Sequence, residues 1–407
     1  MRIAHVMPWY IPRHGYQENH LPRLQHRFGH VVGIFTGDEA LPRSRWEGLG
    51  RWSVGESNHD GVVVRRLPSI LKIDGRAQLL LRHLRRALED FHPEIIHLHG
   101  PYTLTTLQTV VFPPRGKYIM VVDDHTDGEN LRLTSIVTRL RLAVFRRLFL
   151  PVMIRRIDKF IAVNLFSLRF LVSQLSISRE SVSVLPLGID DENFYPDRQI
   201  RLSIRRKLGV PRESVVIVTS GVLDASKGIQ LLLDAFGRLS VTHASARLLV
   251  VGSAGQEEMS KIRHRMDSLG ISSQVLLPGW ANSQHELNQY FNAADIAVIP
   301  RKLNSTKEAL ALGIPLVVPA QDATDYLISG ENGFAFEKEN HESLCKAMSA
   351  LVADSELRRR QGANSIRLVR QKLSWQSVAG RSLELYHSLL QALPNQLLPS
   401  SNDASME

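Results

Sequence analysis

The chain has 407 residues, 43% of them hydrophobic and 22% charged, with a net charge of +10. That length and apolarity allow a large buried core and two domains, and they exclude global disorder. A single cysteine, Cys345, excludes a disulfide framework and a cysteine-based zinc site, and no uncharged apolar run reaches the roughly 18 residues that a spanning helix needs.

The opening, Met1 to Pro12, lacks a basic flank and a long apolar stretch, so no secretory signal is expected. Short β-branched runs predict strands at Ile3–Met7, Val31–Thr36, Val62–Leu67, Ile95–Leu98, Tyr118–Asp123, Lys159–Val163 and Val182–Pro186, with a helix over Ala77–Phe91. A second series of strands follows at Val215–Ser220, Arg247–Val251, Val275–Leu277, Ile296–Ile299, Leu316–Val318 and Gly333–Phe336. Helices are expected between them at Ile229–Leu239, Met259–Ser268, Ser283–Asn292 and Ser343–Ala353. The runs are apolar without strict alternation, as buried parallel strands are. Strand–helix alternation implies right-handed crossovers and doubly wound sheets. It occurs twice, with a polar break near Gly188–Gly209. The expected organisation is a Rossmann-like domain over 1–190, a linker over 191–204, a second Rossmann-like domain over 205–380, a helix over 381–393 and a disordered tail over 394–407. Ligands in such sheets sit beyond the carboxyl ends of the strands, so the two domains are expected to face each other across a cleft that excludes water.

The charge is unevenly shared. Residues 1–195 hold 26 Lys and Arg against 19 Asp and Glu, leaving 24 against 21 for the rest. A basic surplus favours anionic partners. The densest stretch, Leu131–Phe160, has eight basic residues and one acid, Asp158. Its apolar residues Ile136, Val137, Leu140, Val144, Phe145 and Leu148 recur at helical spacing. The pattern fits an amphipathic helix on an anionic membrane, and equally a core-facing helix with solvated arginines. No RNP, zinc-finger or KH signature is present, so nucleic acid is not expected as a partner. The overall expectation is a cytoplasmic protein, with peripheral attachment to the inner membrane face as an option.

Four segments carry candidate chemistry. Gly15 stands between the first strand and a helix near Gln17, where backbone N–H groups can approach an anion. Lys227-Gly228 follows a buried strand and opens a helix, a phosphate-site pattern or equally a solvated Lys before a turn. It is not a Walker A loop. Glu308 begins a short helix after Ile296–Ile299, where a carboxylate can accept two hydrogen bonds from a vicinal diol, or simply sit on the helix dipole. Asp123-Asp124-His125 ends a strand and reads as an acid/base or metal site, or as a capping strand end. His97 and His99 alternate on one strand and share a face.

Together these segments resemble family 4 glycosyltransferases, retaining enzymes of GT-B fold, over about 1–390. The resemblance rests on the first strand and its Gly-rich loop, on Phe28-Gly29-His30-Val31-Val32, on Leu185-Pro186-Leu187-Gly188-Ile189-Asp190 before Phe194-Tyr195-Pro196, on Lys227-Gly228, on Glu308-Ala309-Leu310-Ala311 before Gly313 and Pro315, on Glu331-Asn332-Gly333-Phe334 and on Ser374-Trp375.

The resemblance implies a nucleotide-sugar donor, UDP- or GDP-linked, bound by the C-terminal domain, and a glycan or lipid-linked acceptor bound by the N-terminal one. It implies roles for Lys227 on the diphosphate, Glu308 on the ribose diol, Gly279 and Trp280 near the base, and His125 near the transferred sugar. The implied donor-binding set is Gly15, Tyr16, Gly221, Lys227, Gly228, Gly279, Trp280, Lys307, Glu308 and Ala309. No metal and no cofactor are expected, because fixed positive charge and helix dipoles neutralise the leaving diphosphate. Envelope polysaccharide or glycolipid assembly is the implied setting. Three positions depart from the family pattern: Pro300 where a first Glu is usual, Val222 where an Arg is usual, and Tyr16 where a second loop Gly is usual. Arg301 or Lys302 is the expected replacement for the missing charge. The departures keep two alternatives open, an inactive GT-B protein acting as a binding partner and a sugar-nucleotide epimerase.

Overall fold

A computed structural model describes residues 1–12, 16–39, 51–73, 78–126, 136–223, 228–301, 306–320 and 331–393. Gly15, Lys227, Lys302 and the tail 394–407 lie outside the described residues. The chain divides into two compact units, Met1–Pro186 with Val378–Glu407, and Leu187–Ser377.

The first unit is built on a sheet whose strands are β1 (Arg2–Val6), β2 (Val31–Gly37), β3 (Gly55–His59), β4 (Val62–Leu67), β7 (Ile95–His99), β8 (Ile119–Asp124), β9 (Lys159–Ala162) and β10 (Val182–Val184). Between them lies a separate hairpin of β5 (Ser69–Ile73) and β6 (Gln78–Leu81). The sheet order is β10-β9-β8-β7-β1-β2-β4-β3, and every pairing is parallel except β3 with β4. The helix expected over Ala77–Phe91 is only half right. Gln78–Leu81 is a strand with Leu79 and Leu81 buried on alternate positions, and the helix is confined to Leu84–Phe91. Apolar alternation overrides helical propensity there because the hairpin partner is available.

Central strands of this sheet do alternate, contrary to the expectation of uniformly apolar runs. One face carries Ala4, Val6, Ile96, Leu98, Met120 and Val122 into a single apolar cluster. The other carries His5, His97, His99 and Asp123, since His5 pairs with His97 and His99 with Asp123 in parallel register. Paired residues of a parallel sheet share a face. The polar face is covered by α1 (Gln17–Arg27) and by α7 (Trp375–Ala392), whose Ser382 and Tyr386 reach Gln25 and His97. The basic stretch forms α2 (Ile136–Leu148) and α3 (Leu150–Arg156).

The second unit is built on β11 (Val216–Val222), β12 (Arg247–Ser253), β13 (Val275–Gly279), β14 (Ile296–Val298), β15 (Leu316–Pro319) and β16 (Gly333–Phe336), all paired in parallel in the order β13-β12-β11-β14-β15-β16. In chain order within the unit that is 3-2-1-4-5-6, the doubly wound arrangement whose switch point lies between β11 and β14. Apolar side chains cover both faces, with Val218, Leu249 and Ala297 in one cluster and Ile217, Leu248 and Ile296 in the other. The stretch expected as a linker over 191–204 instead enters helix α4 (Arg198–Lys207). Asp197 caps it by accepting from Gln199 N and Ile200 N, and Arg201 and Arg205 clamp it to Asp295. α5 (Ile229–Thr242) follows β11 and α6 (Thr306–Ala311) follows β14.

Gly221 and Gly252 face each other across β11 and β12, where a Cβ on Gly252 would stand 1.9 Å from the Gly221 carbonyl oxygen. Only glycine permits that approach. Gly252→Ala is therefore expected to destabilise the protein by on the order of 3 kcal/mol, read as a lowered thermal midpoint.

Candidate active site

The second unit assembles its candidate residues at the carboxyl ends of its strands. Gly221 stands one residue before the end of β11 with φ 131°, and Gly279 ends β13 with φ 94°, each a conformation that side chains avoid. Trp280 follows, partly exposed. Gly228 caps α5 with φ 73°, and a Cβ there would meet Pro300 Cβ at 3.0 Å and Arg301 Cγ at 3.1 Å. The helix start is thus pressed against the end of β14, which is the switch point of the sheet. Arg301, the expected substitute charge, lies at this place and pairs with Glu339. Ala309 is fully buried on α6.

Lys307 and Glu308 open α6. Lys307 Nζ donates to the Gly188 carbonyl at 3.4 Å. Burial lowers its pKa to about 8, with Glu308 pulling the other way. Glu308 is pushed up to about 7, first by burial and further by nearby Asp190, while its own backbone N–H and Lys307 oppose the shift. Its Oε2 is buried and has no hydrogen-bond partner among the described residues. A buried polar atom left unpaired costs about 1–3 kcal/mol, which marks Glu308 as a candidate binding residue. The Gly188-Ile189-Asp190 turn was legible as a motif, but its place against Lys307 and Glu308 was not.

The first unit places His125 differently from its neighbours in sequence. Asp123 and Asp124 point to opposite faces of β8. Asp124 accepts from Thr126 N at 3.2 Å and Thr126 Oγ1 at 2.6 Å, and burial raises it to about 6. Asp123 is fully buried on the histidine face. Its Oδ2 lies 2.7 Å from His99 Nδ1, 3.2 Å from His97 Nε2 and 2.9 Å from Gln17 Nε2, and its Oδ1 lies 3.4 Å from His125 Nε2 and 3.1 Å from Gly100 N. The imidazole approaches are off the line of an ideal hydrogen bond and act chiefly as charge contacts. Burial alone would raise the Asp123 pKa, but His99, His125 and His97 together hold it well below the usual carboxylate range. Burial would lower His125, yet Asp123, with Glu18 and Asp124, raises it to about 9. His125 is therefore a cation at neutral pH. Tyr16, exposed, sits at the N-terminus of α1, where its N–H donates to Asn19 Oδ1 at 3.3 Å.

Two groups, His5 with His97 and His99, and His99 with Asp123 and His125, bring ligand atoms within 4.8 Å of one another. Both ring nitrogens of His5, His97 and His99 already face a protein partner, so these rings are committed to each other and to Asp123. His5, Gln17, Gln25 and Tyr386 were missed from the sequence. A histidine on each of two strands that pair in register is the signal that could have found the first.

The chain matches two family models, "Glycosyltransferase Family 4" over residues 19–193 and "Glycosyl transferases group 1" over residues 201–368. It is 27% identical over 243 residues to a mannosylfructose-phosphate synthase of Agrobacterium fabrum, covering 57% of this chain and 53% of that one. It is 32% identical over 228 residues to a D-inositol 3-phosphate glycosyltransferase of Corynebacterium jeikeium, covering 53% and 52%. The chain thus spans about half the length of the curated relatives it matches. Among solved structures, HepE of Anabaena in complex with UDP superposes with a TM-score of 0.66 at 17% identity, over 95% of this chain and all of that one.

Two sheets in successive units, the first parallel but for its β3 edge and the second wholly parallel with a glycine-lined switch point, define a protein of the GT-B fold. With its two halves matched in order by the two models, the chain belongs to glycosyltransferase family 4.

Glu308 generates a stability prediction. Its raised pKa means that ionising it in the folded chain is unfavourable above its ordinary value of 4.5, with the full cost reached once pH exceeds about 7. Without ligand, Glu308→Gln is expected to raise stability at pH 8 by on the order of 2 kcal/mol and to bring no gain at pH 4.5, as measured by thermal unfolding at the two pH values.

Proposed function

We propose that the protein is a retaining glycosyltransferase that moves a sugar from a UDP- or GDP-linked donor, held by the second unit, to a glycan or lipid-linked acceptor held mainly by the first. The observation that carries this reading is the buried Glu308 oxygen that has no hydrogen-bond partner among the described residues, in the helix that follows β14 at the switch point. A ribose diol has two O–H donors at the spacing of a carboxylate, and their donation stabilises its ionised form. Lys227 and the N-terminus of α5 supply positive charge for the diphosphate, with Gly228 allowing close backbone approach. Gly15, Tyr16, Gly221, Gly279, Trp280, Lys307 and Ala309 complete the proposed donor set. The UDP bound to HepE supports a uridine donor in particular.

In this reading the bond from the anomeric carbon to the diphosphate oxygen breaks, and the acceptor oxygen bonds to that carbon on the same face. The acceptor proton passes to the leaving diphosphate. Fixed cations and helix dipoles meet the developing charge, so no metal or cofactor is assigned. His125, cationic at neutral pH, stabilises negative charge near the transferred sugar.

Calorimetry against UDP- and GDP-sugars tests the donor site. Lys227→Ala and Glu308→Ala are each expected to weaken binding at least about tenfold, about 1.4 kcal/mol. Wild-type affinity in both variants would contradict the assignment, and no binding by the unaltered chain would favour a non-catalytic GT-B protein.

The acceptor is proposed to lie at an anionic membrane. On α2, Phe145 turns inward, while Ile136 and Leu140 are 81% and 64% exposed and Val144 and Leu148 continue the same stripe. Arg139, Arg141, Arg146 and Arg147 stand exposed around it. The stripe therefore does not face the core, and apolar side chains ringed by arginines suit a bilayer of anionic lipid. Among the described residues no helix is long and apolar enough to cross a membrane. Co-sedimentation with phosphatidylglycerol vesicles at low salt is expected, and Leu140→Glu with Leu148→Glu is expected to abolish it. A wild-type chain that stays in the supernatant would contradict the proposal.

A further inference from the structure

Asp124 is a buried carboxyl to which the transfer chemistry gives no part. Its register partner on β9 is Ala162, and it shares the face of Leu98 and Val122, so its side chain enters the apolar side of the sheet. Its Oδ1 is spent on Thr126, whose N–H and hydroxyl both donate to it. Its Oδ2 is buried and has no hydrogen-bond partner among the described residues. The Tyr102 hydroxyl is a second such atom. It comes close to Thr126 and feels the Asp124 charge, yet completes no hydrogen bond with either. Burial raises both groups above their ordinary pKa values, Asp124 to about 6. Buried polar atoms are normally paired, so two of them beside one threonine mark a candidate binding place. The surroundings narrow the occupant. Tyr102 is held edge-on by Phe145 and Phe170, with ring centroids 5.0 Å and 6.4 Å away. Phe145 is the inward residue of α2, whose outer stripe is the proposed membrane contact. A helix is about 10 Å across, so a sugar on a headgroup at the α2 surface is within reach of the Tyr102 hydroxyl. A carboxylate repels a phosphate, and Arg139, Arg141, Arg146 and Arg147 around the stripe repel an amine. A neutral group with O–H donors meets neither objection, and an aromatic lining with a few convergent polar atoms suits a sugar ring.

We propose that Asp124 Oδ2 and the Tyr102 hydroxyl form a subsite for the hydroxyls of a neutral sugar carried by a lipid, with the lipid itself at the α2 stripe. One sugar O–H donates to Asp124 Oδ2, and a second hydroxyl exchanges a hydrogen bond with Tyr102. Asp124 directly precedes His125, so a sugar held there stands at the same strand end as the cation assigned to the transferred sugar. Calling the occupant an acceptor rests on the transferase reading. The subsite itself rests on the two buried oxygens and the rings around them.

The test is co-sedimentation of the full chain with phosphatidylglycerol vesicles, plain or carrying a share of monoglucosyl diacylglycerol. The unaltered chain is expected to bind the glycolipid vesicles about tenfold more tightly than the plain ones, the worth of a hydrogen bond to a charged group. Asp124→Asn keeps the oxygen that serves Thr126 and puts an amide nitrogen where Oδ2 stood, so it is expected to bind both vesicles alike. Tyr102→Phe is expected to lose about threefold of the difference. Calorimetry with monomeric octyl glucoside repeats the comparison without a membrane. A chain that ignores all vesicles but takes the glucoside in the same order, unaltered over Tyr102→Phe over Asp124→Asn, keeps the subsite and removes only the lipid. An unaltered chain that shows no preference for glycolipid vesicles and binds no glucoside overturns the proposal, and so does an Asp124→Asn variant that keeps the preference. Should Asp124→Asn fail to fold, Tyr102→Phe decides, since it removes one oxygen and leaves the ring between Phe145 and Phe170. Neither measurement uses a donor. The stated pattern in a chain that binds no UDP- or GDP-sugar leaves the subsite standing and removes the transferase reading, while sugar transfer without the pattern removes the subsite alone.

Discussion

Glu308 carries a carboxylate into the interior at the start of α6 and leaves one oxygen without a hydrogen bond among the described residues. Burial holds its pKa near 7 although Lys307 is adjacent. A group in that state weakens the empty fold, and the proposed donor, whose hydroxyls would donate to it, accounts for its place. The second sheet supplies the setting. Its strand order reverses between β11 and β14, which opens a crevice at their carboxyl ends, and Gly228 lets the start of α5 press against the end of β14 in that crevice.

Asp123, the other deeply buried carboxylate, is the opposite case. It is surrounded by donors and held ionised, and its charge passes on to His125. One unit thus contains a carboxylate awaiting donors, and the other a carboxylate saturated with them. The first arrangement suits ligand capture, and the second suits holding a cation in a fixed place.

Much of this was legible in the residues. Parallel strands in both series, the strand-end positions of Gly221, Gly279 and Glu308, and the strand-end Asp123-Asp124-His125 follow from apolar runs bounded by turn residues. The strand at Gln78–Leu81 was hidden inside a leucine-rich stretch that reads as helix, because four residues cannot separate the two periods. Helix α4 was hidden by a polar surface, since its docking depends on Arg201 and Arg205 finding Asp295 some ninety positions later. The polar face of the first sheet was the larger omission. His5 looks like an isolated polar residue in an apolar run, and only the register of β1 with β7 sets it beside His97. Gly15 and Lys227, expected from motif, lie outside the described residues, so the donor site rests on Glu308 and its surroundings.

Carbon NMR of the Glu308 carboxyl, titrated with and without UDP, tests the central claim most directly. The account predicts a midpoint near 7 in the empty protein and a clear fall when the nucleotide binds, because hydroxyl donors favour the ionised form. A midpoint in the ordinary carboxylate range, or one that UDP leaves in place while bound, would contradict it.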